Sequence, residues 1–152
     1  VSILPIITGE NAPILYQKTK PVPKVTKELR ALLKDMQETT IAADGLGLAA
    51  PQIGRSERVC IVKMGSRLMP LINPQIVFKS QETEYAEEGC LSLPGVWIQV
   101  PRSTSIRVQY LDAKGAEQDR MLTDLDARVV QHEVDHLEGK LITDYGPHGK
   151  AL

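Results

Sequence analysis

Towards the end of the chain, Gln131-His132-Glu133-Val134-Asp135-His136 contains an H-E-x-x-H pattern. On an α-helix, positions i and i+4 lie one turn apart on one face, so His132 and His136 can offer two imidazole nitrogens to one ion. Glu133 follows the first of them, where its carboxylate can take a proton from water at the ion's open position instead of binding the ion. Two helical histidines are also compatible with ordinary packing, so a third ligand is the deciding feature. The extended zinc-protease pattern would put a histidine where Ile142 stands, which excludes that family. Glu138, the only glutamate beyond His136, follows it too closely and points away. The third ligand must therefore lie upstream. Cys60 sits in the apolar run Arg58-Val59-Cys60-Ile61-Val62, where a free thiol behaves as a small buried hydrophobe. Cys90 sits in Glu87-Glu88-Gly89-Cys90-Leu91-Ser92-Leu93-Pro94, a polar-to-apolar junction with glycine just before it, and is the third ligand in this reading.

A second stretch, Gly45-Leu46-Gly47-Leu48-Ala49-Ala50-Pro51-Gln52, opens with G-x-G. It is not a phosphate loop: no strand precedes it, the third glycine is missing, and no Lys-Ser/Thr follows. It reads better as extended backbone left open for a peptide to pair with as an added strand. With Glu88-Gly89-Cys90-Leu91-Ser92 and Gln131–His136, it completes three segments that resemble, in order and rough spacing, the signature motifs of peptide deformylases. The resemblance spans nearly the whole chain.

That resemblance implies a metal-dependent hydrolase that removes the formyl group from N-formyl-methionyl peptides, including nascent chains at the ribosome, and releases formate. It implies Cys90, His132 and His136 as ligands of one divalent metal, with Fe2+ preferred and Zn2+, Ni2+ or Co2+ able to replace it. Glu133 would be the general base and then the acid. The Gln52 amide and the Leu91 backbone N–H would hold the oxyanion. Gln52 taken alone would read as a turn residue. Leu46, Val129 and His132 would line a methionine pocket, and backbone at Gly45, Gly47 and Gly89 would pair with the peptide. Core packing explains Val129 almost equally well. Two rival functions are a metallopeptidase, against which the cysteine ligand argues, and a structural zinc module, which would need a fourth protein ligand.

The elements that must position these groups read as α+β: antiparallel sheets around a central helix carrying the H-E-x-x-H, plus an N-terminal helix. From Thr26, an N-cap with Glu28 in the first turn, apolar residues recur at Leu29, Leu32, Leu33, Met36 and Ile41, and Gly45 is placed as the left-handed stop. Before it, residues 6–25, with three prolines, read as an irregular arm. Strands are expected at 59–62, 71–72, 76–78, 96–100, 106–110 and 117–122, with a turn at Asp112–Gly115. The last helix is expected to start near Thr123, with Thr123 and Asp126 as a capping pair, to put Leu125, Val129, His132 and His136 on one inward face, and to end at Gly139. Glu88 and Arg102 are expected to pair and brace the Cys90 loop. Trp97, the only tryptophan, is expected near the substrate groove.

With 152 residues, 42% hydrophobic and 24% charged, the sequence suits one catalytic domain spanning 1–152. A formal net charge of -1 gives no electrostatic case for nucleic acid or an anionic membrane, and a monomer is expected. Two cysteines in unlike contexts make no disulfide framework, and a thiolate ligand favours a reducing compartment. A bacterial-type cytoplasm fits, as does an organelle after transit-peptide removal. The opening Val1–Ile7 reads as folded sequence, and the short stretch after Tyr145 gives no support for ribosome docking through a tail.

Overall fold

The computed structural model describes residues 2–146; Val1 and the stretch after Gly146, on which the readings of the first residue and the tail fall, lie outside it. The fold is α+β. Helix α1 (Lys27–Ala42) begins where Thr26 Oγ1 accepts the Leu29 N–H at 3.1 Å. Its inward face runs Leu29, Leu33, Met36 and then Thr40, whose hydroxyl turns back to the Met36 carbonyl at 2.7 Å. Ile41, expected on that face, is instead exposed, because the row continues four residues after Met36 and not five. The left-handed residue that ends the helix is Asp44 (φ 53°), one place before Gly45. Gly45 answers a different demand: a Cβ there would lie 2.9 Å from Leu91 Cδ1.

Strands β1 (Gly47–Ala49), β2 (Val59–Met64), β3 (Arg67–Lys79), β6 (Ser105–Leu111) and β7 (Glu117–Thr123) form one antiparallel sheet in the order β1-β2-β3-β6-β7. Alternation along β2 divides the core. Val59 and Ile61 pack with Leu29, Leu33 and Met36 of α1, while Cys60 and Val62 pack with Val130, Val134 and Leu137 of helix α2 (Asp124–Leu137). A strand covered on both faces reads as a continuous apolar run. Cys60 is fully buried in this core, as expected.

β3 merges the two short strands expected at 71–72 and 76–78. Asn73 (φ 53°) sits at a register shift, so Asn73-Pro74 bends the strand without ending it. The Asn73 amide pairs with both backbone groups of Val22, at 2.7 and 2.8 Å, and fastens the arm to the sheet.

β4 (Thr83–Cys90) and β5 (Leu93–Ser103) form a separate two-stranded sheet. β4 was not expected: it is polar on both faces and half of it is exposed, so no apolar alternation marks it. A third core, around Leu15, Leu93, Ile98, Val100, Leu141 and Ile142, packs this hairpin against the arm and the segment after α2. The arm contains one 3-10 turn, Pro13–Tyr16, and the Ile7 and Gly9 N–H groups reach the carbonyls of Gln52 and Ser92 at 2.7 and 2.8 Å. The Thr123–Asp126 capping pair does not form; Asp126 accepts the Gly65 N–H instead, at 3.1 Å. Gly139 (φ 77°) does adopt the left-handed turn that follows α2. No helix of the described residues is long and apolar enough to cross a membrane.

Candidate active site

Helix α2 brings His132 and His136 onto one face, and the end of β4 carries Cys90 to meet them. One nitrogen from each ring and the sulfur lie within 4.8 Å of one another. Cys90 Sγ and His136 Nε2 are 3.4 Å apart, close to the roughly 3.5 Å edge of a tetrahedron with metal bonds of 2.0–2.3 Å. The donor set fits a divalent metal. His132 Nδ1 bonds Glu88 Oε1 at 2.9 Å, which leaves Nε2 for an ion. Among the described residues no other His, Cys, Asp or Glu joins this cluster, so it offers three protein ligands and not four.

Burial and charge tune the groups around it. Burial lowers the His132 imidazolium, but the Cys90 hydrogen bond, the charge of Glu133 and the Glu88 hydrogen bond outweigh it and raise the group to about 10. The position thus favours positive charge, and a cation on Nε2 would stand where that proton sits. Burial drives His136 well below the usual histidine range. Burial also raises Glu133, to about 7, against the attraction of His132. Glu133 Oε2 lies 4.0 Å from His132 Nε2, and Glu133 Oε1 is buried without a hydrogen-bond partner among the described residues. A buried carboxylate oxygen left without a partner beside a ligand cluster is open to a group that enters the cleft and marks Glu133 as a candidate proton carrier.

Gln52 is held at both ends. Its Oε1 accepts the Ala49 N–H at 2.9 Å, which turns the amide nitrogen towards Cys90 Sγ at 3.7 Å and Ser92 Oγ at 3.1 Å. These groups border a cleft of about 680 Å³ lined by Gly45, Leu46, Gly47, Gln52, Gly89, Cys90, Leu91, Val129, His132 and Glu133, with Trp97 and Leu125 among its further walls. His136 is not in the lining and sits buried behind it. Val129 both lines the cleft and packs in the α2 core, so the two readings of it coexist. Leu125 is exposed on the cleft instead of facing the core, which corrects its expected inward position. Strand β1 is an edge of the larger sheet, and Gly47 within it touches the base: a Cβ there would lie 2.5 Å from Glu133 Oε2. At Gly89 the constraint is the indole of Trp97, 2.6 Å from the position a Cβ would take.

The expected Glu88–Arg102 pair is present, buried and bidentate, at 3.0 and 2.9 Å. Sequence reasoning missed the rest of its network. Arg128 Nη1 bonds Glu88 Oε2 at 2.6 Å, Arg102 Nη1 meets Asp135 at 2.5 Å, and the Tyr145 hydroxyl donates to Asp135 at 2.6 Å. Burial and Asp135 push Tyr145 up to about 12. Arg128 and His132 share i,i+4 spacing on α2, the one signal in the sequence that would have joined them.

Residues 3–151 match the family model described as Polypeptide deformylase. The chain belongs to that family. Among curated relatives, the peptide deformylase of Pseudothermotoga lettingae is 46% identical over 92% of this chain and 81% of its own. The crystal structure of the Thermotoga maritima peptide deformylase superposes with a TM-score of 0.92 at 40% identity, covering 95% of this chain and 98% of that one. The Synechococcus elongatus peptide deformylase, solved in complex with actinonin, gives a TM-score of 0.89 at 37% identity over 93% of this chain and 78% of its own. The chain is thus an enzyme of the deformylase family, a hydrolase, with bacterial relatives.

Proposed function

We propose that residues 1–152 act as one catalytic domain that removes the formyl group from the N-terminal formyl-methionine of newly made polypeptides. The observation that carries this reading is the buried Glu133 carboxylate, whose Oε1 has no hydrogen-bond partner among the described residues, beside Cys90, His132 and His136, at the foot of a cleft bordered by the open edge of β1. Those three residues would hold one divalent cation, Fe2+ by preference and Zn2+, Ni2+ or Co2+ in its place. When bound, the cation would supply Lewis-acid polarisation of the formyl carbonyl and acidify a water.

The chain's own groups account for the remaining chemistry. Glu133 takes a proton from the attacking water, and its raised proton affinity suits a base that must return that proton. The Gln52 Nε2 amide and the Leu91 N–H donate to the carbonyl oxygen as negative charge builds on it. Glu133 then hands the proton to the departing amine as the C–N bond breaks, giving formate and a free N-terminus. Gly45, Gly47 and Gly89 offer backbone to the extended peptide, and Leu46, Val129 and the His132 ring form the apolar seat for the methionine side chain. The actinonin complex of the Synechococcus relative supports a ligand site in this fold.

A peptidase would use the same base, so the test must separate the two. Formyl-Met-Ala-Ser and Met-Ala-Ser are supplied in parallel, and formate and free alanine-containing products are quantified. Formate from the first and no cleavage of either Met-Ala bond is the expected result. Cleavage of the unformylated peptide without formate release would replace this reading with a peptidase.

A further inference from the structure

The ligands come from two parts of the fold that share no strand ladder: Cys90 from the β4–β5 hairpin, and the histidines from α2, which packs on the five-stranded sheet. Backbone pairing therefore does not set the distance between sulfur and imidazoles; side chains spanning the gap must do so. From α2, Gln131 holds the Ser103 N–H and carbonyl at 3.0 and 2.9 Å, and Asp135 holds Arg102. Both ties end on β5. Among the described residues, the α2 side chains hydrogen-bonded to β4, the strand that carries Cys90, are the two histidines and Arg128.

Arg128 makes two contacts on β4 and one on β5. Its Nη1 bonds Glu88 Oε2 at 2.6 Å and the Val100 carbonyl at 2.9 Å, and its Nη2 bonds the Glu84 carbonyl at 2.5 Å. One planar guanidinium thus grips both strands of the hairpin, one helical turn before His132, and holds the carboxylate whose other oxygen orients the His132 ring. Glu88 stands two residues before Cys90 on the same strand.

We propose that Arg128 is a positioning residue for the metal centre: it fixes the Glu88-to-Cys90 end of β4 against α2 and so sets the spacing of the sulfur from the two imidazoles. The inference rests on Cys90, His132 and His136 being metal ligands. Lysine can reach Glu88 as a point charge but cannot serve two carbonyls and a carboxylate together, so R128K keeps part of the function and R128M keeps none of it.

The experiment loads wild type, R128K and R128M with Co2+, records the visible ligand-field and thiolate charge-transfer bands, and follows metal loss to a chelator well below each protein's melting temperature. Wild type that binds no Co2+ would overturn the metal reading itself, and this proposal with it. With wild type loaded, the expected result is roughly tenfold faster metal loss from R128M, an intermediate rate from R128K and shifted cobalt bands, in the range found for residues behind a metal ligand. If R128M does not fold, R128K decides alone, with loss faster than wild type expected. Bands and release rates equal to wild type in a folded variant overturn the proposal. The same holds if metal is retained and only KM for the formyl peptide rises, which would make Arg128 a substrate contact on the cleft wall.

Discussion

Burial pushes the Glu133 carboxyl from an ordinary 4.5 up to about 7, so the fold disfavours the ionised form that a base needs. In metal-free protein the sign follows directly. The unfolded chain ionises this group near 4.5 and the folded chain only near 7, so stability falls as pH climbs through that window and levels above it. The gap is worth roughly 3 kcal/mol, at 1.36 kcal/mol per pKa unit. Glu133→Gln should therefore melt above metal-free wild type at pH 8, with the difference shrinking towards pH 5; a difference that is flat with pH would contradict this. The same carboxylate is braced by Gly47. Gly47→Ala would place a methyl 2.5 Å from Glu133 Oε2, and kcat for a formyl peptide should fall about a hundredfold with metal content unchanged, as misplacement of a catalytic group by about 1 Å can do. His132, Glu133 and His136, identified from local spacing, and Cys90, identified from its polar-to-apolar junction, meet in the structure. Ser92, Arg128, Asp135 and Tyr145 escaped because their partners lie on other elements, and no periodicity encodes a hydrogen bond across a cleft.

The elements differ in how openly the sequence announces them. Helix α1 was legible from Thr26 to Met36 because a cap and a 3.6-residue apolar row coincide there. Its end was misplaced by a residue, since Asp44 takes a conformation usually left to glycine. Strand β2 was visible as an apolar run, whereas β4 was invisible because it is held by the hairpin and by Glu88's partners and not by an apolar face. The arm looked structureless, yet it touches three motif-bearing segments: Ile7 reaches Gln52, Gly9 reaches Ser92, and the Thr19 N–H reaches the Leu137 carbonyl at 2.9 Å. Gly139 is the point where the turn after α2 meets that arm. It combines φ 77° with a Cβ position 2.5 Å from the Tyr16 carbonyl oxygen. Gly139→Ala should cost about 2 kcal/mol or more in denaturant unfolding, from strain and a backbone clash that no rotamer can relieve. A cost under half a kcal/mol would mean that the arm yields freely.

For the molecule as a whole, the candidate centre sits where the α2 core, the hairpin core and the edge of the large sheet converge. A cation bound by Cys90 and two histidines would staple the hairpin to the helix, so removing it should lower the melting temperature as well as abolish activity. At metal a hundredfold above its Kd the stabilisation is about 2.7 kcal/mol, readable as a chelator-dependent shift in a thermal melt. No shift would mean that these three residues do not bind the cation selectively in the folded chain. The α+β class and the three-motif arrangement were legible in the sequence; the mutual placement of the sheets was not, because it depends on ties between residues far apart in the chain. The most direct measurement is formate release from formyl-Met-Ala-Ser by anaerobically purified protein, beside Glu133→Ala with its metal content determined. The account predicts release by wild type and its loss in the variant at equal metal content. Undiminished release by a metal-loaded Glu133→Ala variant, or none from metal-loaded wild type, would contradict it.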